Sequence, residues 1–175
     1  MTEPTMDPHY YNVPTEAIEP LGQLVVIAAK VEDAARMLHE FWRLNEAYDA
    51  GYTPDVSQRC RDLGRFGKQI NEPRLQKWAR RARRSMSTRN TLFHASYFHF
   101  ATKDRWVPAW RDARDGRLVT PEPFDVQRVK QLVQQLELIY NEGSSLWGEY
   151  MDMLEKTRAA KLAAESVAPG EPPTE

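Results

Sequence analysis

The apolar residues of this 175-residue chain recur at spacings of three and four, which is typical of helices with one buried face. The longest such stretch covers residues 15–50. Thr15 suits the start of a helix and Gly51 its end, while Pro20 and Gly22 favour a bend or a delayed start. The pattern predicts a first helix over residues 15–50, with an apolar face formed by Leu24, Ile27, Ala28, Val31, Ala34, Ala35, Leu38, Phe41 and Trp42.

A second helix is predicted over residues 54–70, where the apolar residues again fall on one stripe. Two glycines interrupt it, Gly64 and Gly67. They either weaken its helix propensity or let a neighbouring helix come close. Cys60 is expected to be a small buried apolar residue. The stripe consists of Val56, Cys60, Leu63, Phe66 and Ile70.

A third helix is predicted over residues 73–86 and a fourth over residues 88–102. The break between them is expected because Ser85, Ser87 and Thr88 are residue types that cap helices. The apolar side chains of the two helices are Leu75, Trp78, Ala79, Ala82 and Met86, followed by Leu92, Phe93, Tyr97 and Phe100.

The helical pattern stops over residues 103–123, which contain tryptophans, prolines and an Asp-Gly pair. Two interpretations are open for this segment: a hairpin of residues 106–111 against 117–120, or a loop lying over the helices. A long last helix is predicted over residues 124–164, with Gly143 as the site of a kink.

These elements predict an all-α fold: an antiparallel bundle of about five helices, with a loop or short hairpin inserted before the long last helix. Residues 15–164 form one domain in this interpretation. Residues 1–14 are polar and proline-containing and are expected to be a flexible arm. Residues 165–175 are rich in Pro, Gly and Glu and are expected to be a disordered tail.

Composition narrows the classes of function. The formal net charge is −1, so any contact with nucleic acid must come from local clusters of basic residues. With one cysteine, the chain cannot form an internal disulfide or a cysteine-based zinc site, which favours a reducing, cytoplasmic setting. No leader segment and no apolar run of membrane-spanning length is recognisable, so no membrane partner is expected.

The candidate chemistry lies in one short stretch, where Arg89 and Asn90 are followed by His94. The most basic run of the chain comes just before it, and no acidic residue occurs between Glu72 and Asp104. The sequence predicts that these residues open the fourth helix and that the run lies on the exposed face of the third. The basic run consists of Arg80, Arg81, Arg83 and Arg84.

This layout resembles the HEPN superfamily of small helical bundles, many of which are ribonucleases of toxin–antitoxin, abortive-infection and CRISPR-type defence systems. The family motif is an arginine, four to six residues and a histidine, matched here by Arg89, Asn90 as the frequent polar neighbour, and His94. The resemblance implies an endoribonuclease that needs neither metal nor cofactor. It also implies a homodimer with one composite site, and it allows a cognate antitoxin protein as partner.

The residue types suit RNA transesterification. Histidine has an unperturbed pKa that suits proton transfer near pH 7, and the arginine fork can hold phosphate oxygens. Asn90 can contact the phosphate or orient His94, since residues four apart share a helix face. The four arginines of the basic run would gather the RNA backbone. No metal site is expected, because His94 and His99 are five residues apart rather than four.

Non-catalytic interpretations of the same residues remain open. Arg89 can cap carbonyls or pair with Glu32, and His94 can be a packed core histidine. The basic run can be a solvated helix face, and Trp106 and Trp110 can cover the bundle or stack on bases. The alternative function is a non-catalytic HEPN-like helical module that binds a nucleotide, RNA or a protein partner.

Overall fold

The computed structural model describes residues 15–44, 53, 55–94, 96–100, 105–111, 118–119 and 125–167, with side chains for those up to residue 93 and for 125–164. Its helices are α1 (Thr15–Leu44), α2 (Val56–Gln69), α3 (Pro73–His94) and α4 (Val126–Val167), and its strands are β1 (Ser96–Phe100), β2 (Arg105–Arg111) and β3 (Leu118–Val119). The predicted arm, residues 1–14, lies outside the described residues, as does residue 168 onward of the predicted tail.

Local sequence accounts for the ends of α2 and the start of α4. The carboxylates of Asp55 and Asp125 accept hydrogen bonds from the backbone N–H groups of Ser57 (2.7 Å) and Gln127 (2.8 Å), so each aspartate caps its helix. At the other end of α2, Asn71 has a positive φ of 56°. Asparagine tolerates this left-handed conformation, which turns the chain directly into α3.

The helices pack as a bundle whose directions follow from contacts between pairs of residues. Phe41 of α1 stacks on Tyr150 of α4, and Lys30 lies over the ring of Tyr140, so α1 and α4 run parallel. Helix α3 runs antiparallel to α4, since Arg74 pairs with Glu149 and Arg81 with Glu142. Helices α2 and α3 form an antiparallel hairpin, because Gly67 approaches Gln76 and Gly64 approaches Ala79.

The buried core confirms the predicted apolar faces. All nine residues predicted for α1 are buried, and so are Cys60, Leu63 and Phe66 of α2. The α2 stripe is less complete, since Ile70 is 40% exposed and Val56 only partly buried. The core therefore lies between all four helices, as binary patterning requires.

One tryptophan occupies the centre of the α3–α4 contact. Trp78 is fully buried, and its indole Nε1–H donates to the carbonyl oxygen of Ile139 at 2.7 Å. A Cβ atom at Gly143 would lie 2.8 Å from that nitrogen, so only glycine leaves room for the ring. The glycine predicted to kink the last helix thus makes space for an indole, within one continuous α4.

The predicted break at residues 85–88 and the fourth helix over residues 88–102 are wrong. Helix α3 continues to His94, and Ser96–Phe100 is strand β1. The hydroxyls of Thr88 and Thr91 donate to carbonyls four residues earlier in α3, at 3.2 and 3.1 Å. These side chains therefore fit within the helix instead of capping a new one. The described residues hold four helices rather than about five.

The segment before α4 contains a small antiparallel sheet with strand order β1-β2-β3. Trp110 of β2 pairs with Val119 of β3, and Phe98 of β1 pairs with Val107 of β2. Of the two interpretations of residues 103–123, the hairpin is the one observed, at the predicted place. Strand β1 was not predicted, because its aromatic residues also fit the spacing of a helix.

Candidate functional site

The guanidinium of Arg89 is held in place near the end of α3. It lies 4.7 Å from the centre of the Phe93 ring, and its Nη1 donates to Asn90 Oδ1 at 2.9 Å. Its Nε atom is buried and has no hydrogen-bond partner among the residues that the structure describes. Arg89 forms no ion pair with any carboxylate of the described residues, including Glu32. A positioned cation without an acidic partner is a suitable binding group for a phosphate.

The contact with Asn90 changes how the motif can act. By ideal helix geometry Arg89 and His94 start about 140° apart around the axis. The long side chain of Arg89 turns across Phe93 and meets the amide of Asn90. Asn90 lies one turn before His94 and shares its helix face. The guanidinium therefore lies beside Asn90, on the side of α3 to which position 94 of the helix belongs.

His94 is the last residue of α3, so the motif closes a helix rather than opening one as predicted. The side chain of His94 lies outside the part of the chain whose side chains are described. Asn90 is half-buried, with its oxygen engaged by Arg89. The site as described therefore consists of a fixed guanidinium and an amide beside the end of the helix.

The four arginines of the basic run have different surroundings. Arg81 forms an ion pair with Glu142 at 2.5 Å and is partly buried between α3 and α4. Arg80, Arg83 and Arg84 are exposed, and no carboxylate among the described residues pairs with them. Three of the four predicted RNA-binding residues are thus available at the surface, and the fourth joins two helices.

A surface groove between α1 and α4 lies apart from this motif. It is lined by acidic and amide side chains together with Pro20 and Lys130, and the acids are Glu16, Glu19 and Glu137. Three carboxylates against one lysine disfavour a polyanion. This groove is therefore not a candidate for binding RNA.

A polar contact that the sequence did not reveal joins α1 and α2. His39 is 3% exposed and its Nε2 lies 3.9 Å from Asp62 Oδ2. Burial lowers the pKa of His39, and the neighbouring Asp62 carboxylate opposes that shift. The signal available in the sequence was position: His39 follows Ala35 by four residues and so shares the buried face of α1. Its surroundings mark it as part of the core.

Cys60 has no reactive character. It is 2% exposed, and burial raises the pKa of its thiol to about 12, so it stays protonated. Its predicted role as a small buried residue is confirmed.

Within the described residues, no three side chains of His, Cys, Asp or Glu are grouped to hold a metal ion. None of the described helices is apolar over enough of its length to cross a membrane.

Comparisons of this chain with models of known protein families, with curated proteins and with solved structures find no match.

Proposed function

We propose that this protein is a metal-independent endoribonuclease of the HEPN type, acting in a toxin–antitoxin or phage-defence setting. The observation that supports this most is the state of Arg89. Its guanidinium is stacked on Phe93, hydrogen-bonded to Asn90 and without an acidic partner in the described part of the chain. A cation held this way needs little reorganisation when it meets the charge that develops on a phosphate.

The proposed reaction is transesterification within the RNA backbone. The ribose 2′-OH loses its proton to a histidine, its oxygen forms a bond to phosphorus, and the bond from phosphorus to the 5′-oxygen breaks. The leaving oxygen receives a proton, and a 2′,3′-cyclic phosphate remains. His94 is the proton-transfer group in this scheme because imidazole titrates near neutral pH. Arg89 binds the phosphate, and Asn90 positions Arg89.

RNA would approach along the exposed side of α3. Arg80, Arg83 and Arg84 lie one to three turns before Asn90 on the same helix. They would contact phosphates and so contribute affinity without reading the base sequence. Arg81 contributes less in this scheme, because Glu142 already neutralises it.

The HEPN resemblance adds two partners to the proposal. One is a second copy of the chain, whose Arg89 and His94 would complete a composite site and supply the second proton-transfer group. The other is a cognate antitoxin protein that would block this site. Both belong to the proposal rather than to the described geometry.

The test is RNA cleavage by purified protein in EDTA. Wild type should produce 2′,3′-cyclic phosphate ends, and His94→Ala should not. His99→Ala is the matched control, because it removes the histidine of β1, five residues away, and should cleave like wild type. Equal cleavage by wild type and His94→Ala would refute the assignment. No cleavage by folded wild type on structured or unstructured RNA would do so too.

A second candidate function is a non-catalytic helical interaction module, and α4 is the observation that favours it. Every side chain from Glu155 to Ala164 is exposed, although the helix continues to Val167. A helical segment of that length is marginal by itself in water, so a partner that packs on it would stabilise it. Truncation after residue 154 distinguishes the two candidate functions. If the protein is a nuclease, RNA cleavage should persist, and if it is an interaction module, partner binding should be lost.

A further inference from the structure

The α2–α3 pair of helices carries far more positive than negative charge. Residues 56–94 contain eleven lysines and arginines and two acids, Asp62 and Glu72. The basic run of α3 accounts for part of this excess, and α2 adds a row of its own. Six exposed residues of the two helices form what we call the two-row surface: Arg61, Arg65 and Lys68 on α2, and Lys77, Arg80 and Arg84 on α3.

The two acids leave most of this charge unneutralised. Asp62 is 7% exposed and accepts a hydrogen bond from Gln58 at 2.8 Å, and Glu72 accepts one from a backbone N–H group. Arg65 lies 3.8 Å from Asp62, and the guanidinium of Arg61 donates to the neutral amide of Gln58. Apart from Arg65, no member of the two-row surface pairs with a carboxylate of the described residues.

Both rows lie on the solvent side of the contact between α2 and α3. Gly64 of α2 faces Ala79 of α3. Around α2, the basic row lies to one side of that contact and the buried ring of Phe66 to the other. Around α3, the second row and the buried Trp78 are divided by the contact in the same way. Because the core occupies one side of the pair, the two rows share the opposite side.

The rows are close together and staggered. A Cβ atom at Gly67 would lie 3.0 Å from the backbone nitrogen of Gln76, so the two backbones touch there and the helix axes approach to about 8 Å. In this antiparallel register, successive cations along the pair come mostly from alternate helices, about 1.5–3 Å of rise apart. The surface thus presents six positive charges over a length of about 14 Å.

The two-row surface offers cations but no aromatic ring. Proteins that bind single strands combine a positively charged groove with rings on which bases stack. In the described parts of α2 and α3, Phe66 and Trp78 are buried, and Phe93 is covered by Arg89. Paired RNA hides its bases and is recognised through phosphates and 2′-hydroxyl groups. Charge without stacking groups therefore favours a paired RNA over a single strand.

We propose that the two-row surface binds the paired region of a structured RNA through its phosphates. Asn90, which holds Arg89, lies on the α2 side of α3, just beyond the level at which α2 begins at Val56. The candidate site is therefore about 9 Å of helix rise past Arg84, where the backbone that leaves a bound stem would reach Arg89. This inference rests on the proposed ribonuclease function for RNA as the nucleic acid, and it assigns the binding of the stem to both α2 and α3.

The experiment is fluorescence anisotropy in EDTA with the full chain carrying His94→Ala, so that no cleavage enters. The probes are an RNA stem-loop with a stem of about 16 base pairs, an unpaired RNA of the same length and a DNA stem-loop of the same sequence. The RNA stem-loop should bind several-fold more tightly than the unpaired RNA and at least as tightly as the DNA. Neutralising the α2 row, by Arg61→Gln with Arg65→Gln and Lys68→Gln, should weaken stem-loop binding by about tenfold or more.

The salt dependence counts the contacts. Loss of the α2 row should lower the slope of log affinity against log salt by about 2–3, since each phosphate contact with a duplex contributes about 0.9. The matched control is Lys130→Gln with Lys156→Gln and Arg158→Gln, which removes three exposed charges from α4 and should leave the slope unchanged. Circular dichroism should show both triple variants folded, because each replaces exposed side chains.

Stem-loop binding that is unchanged without the α2 row overturns the proposal, and so does an equal weakening by the α4 control. Unpaired RNA bound as tightly as the stem-loop overturns paired RNA as the ligand, and tighter binding of the DNA overturns RNA. Because the readout is binding by a protein that cannot cleave, absence of cleavage by wild type would refute the ribonuclease alone. Cleavage by wild type with no effect of the α2 row would refute this inference alone.

Discussion

Three arginines of α3, two in its first half and one in its second, are used in opposite ways. In the first half, Arg74 and Arg81 reach across to α4 and pair with Glu149 and Glu142. In the second half, Arg89 meets no carboxylate of the described residues and rests on Phe93 and Asn90. Arginines near one end of α3 join it to α4, whereas Arg89 near the other end has no acidic partner among the described residues.

The opposite helix explains the difference. Because α3 and α4 are antiparallel, the first half of α3 faces the middle of α4, where Glu142 and Glu149 occur. The second half faces the beginning of α4, and residues 126–136 contain glutamines and basic residues but no acid. The ion pairing of Arg74, Arg81 and Arg89 therefore follows what α4 offers at the same level, which the neighbouring residues along α3 do not reveal.

The largest expected effect tests the contact between α4 and the first half of α3, where Trp78 packs beside Gly143. Gly143→Ala should lower the free energy of unfolding by about 2–3 kcal/mol, because the new Cβ displaces Trp78 and its hydrogen bond. Urea unfolding followed by tryptophan fluorescence measures this. Gly148→Ala is the matched control: no atom of the described residues lies within 4 Å of the added Cβ, so a gain of about 0.5–1 kcal/mol is expected. Equal stability of the two variants would contradict this account of Trp78.

The second prediction tests the other half as a reaction site. Arg89→Ala should reduce the rate of RNA cleavage by about 10²–10³-fold, the loss typical of a group that stabilises transition-state charge. Its free energy of unfolding should change by no more than about 1 kcal/mol. Single-turnover cleavage and urea unfolding give the two values. Arg74→Ala should cleave near wild type, and it should also lose less than about 1 kcal/mol of stability because it removes an exposed ion pair. If both variants cleave equally, the two halves of α3 do not differ in function.

A smaller effect is expected on the exposed arginines. Arg84→Ala should weaken RNA binding several-fold and lower the slope of log affinity against log salt by about 0.7, the value for one phosphate contact on a single strand. Fluorescence anisotropy over a series of salt concentrations measures both. Arg158→Ala removes an exposed arginine from the far part of α4 and should leave the slope unchanged. A slope that is the same for Arg84→Ala and wild type would remove Arg84 from the RNA-binding surface.

The smallest expected effect concerns the ion pair between Arg81 in the first half of α3 and Glu142 of α4. Glu142→Gln should lower the free energy of unfolding by less than about 1 kcal/mol, since a partly exposed ion pair contributes little. The same change frees Arg81 and should raise RNA affinity a few-fold. Unfolding and anisotropy measure the two consequences on one variant. Unchanged RNA affinity would show that Arg81 lies off the path of the RNA even when unpaired.

Much of the fold was predictable because helical periodicity is local. The apolar faces of α1 and α3 and the position of α4 follow from spacings of a few residues, and the hairpin of β2 and β3 was one of two interpretations that the sequence left open. The end of α3 was not predictable in the same way. Serine and threonine either cap helices or bond within them, and the choice at Thr88 and Thr91 depends on the helix continuing.

The candidate site likewise has features that the sequence predicts and features that depend on tertiary packing. The sequence by itself determined which residues form the motif, Arg89, Asn90 and His94, and that a basic run precedes them. Only the tertiary structure decided that Arg81 is neutralised from 61 residues away, while Arg89 turns to Asn90 without an acidic partner in the described residues. The physical reason is the distance along the sequence over which each effect acts. Helix periodicity acts over about four residues, whereas the charge that an arginine meets depends on which helix packs beside it.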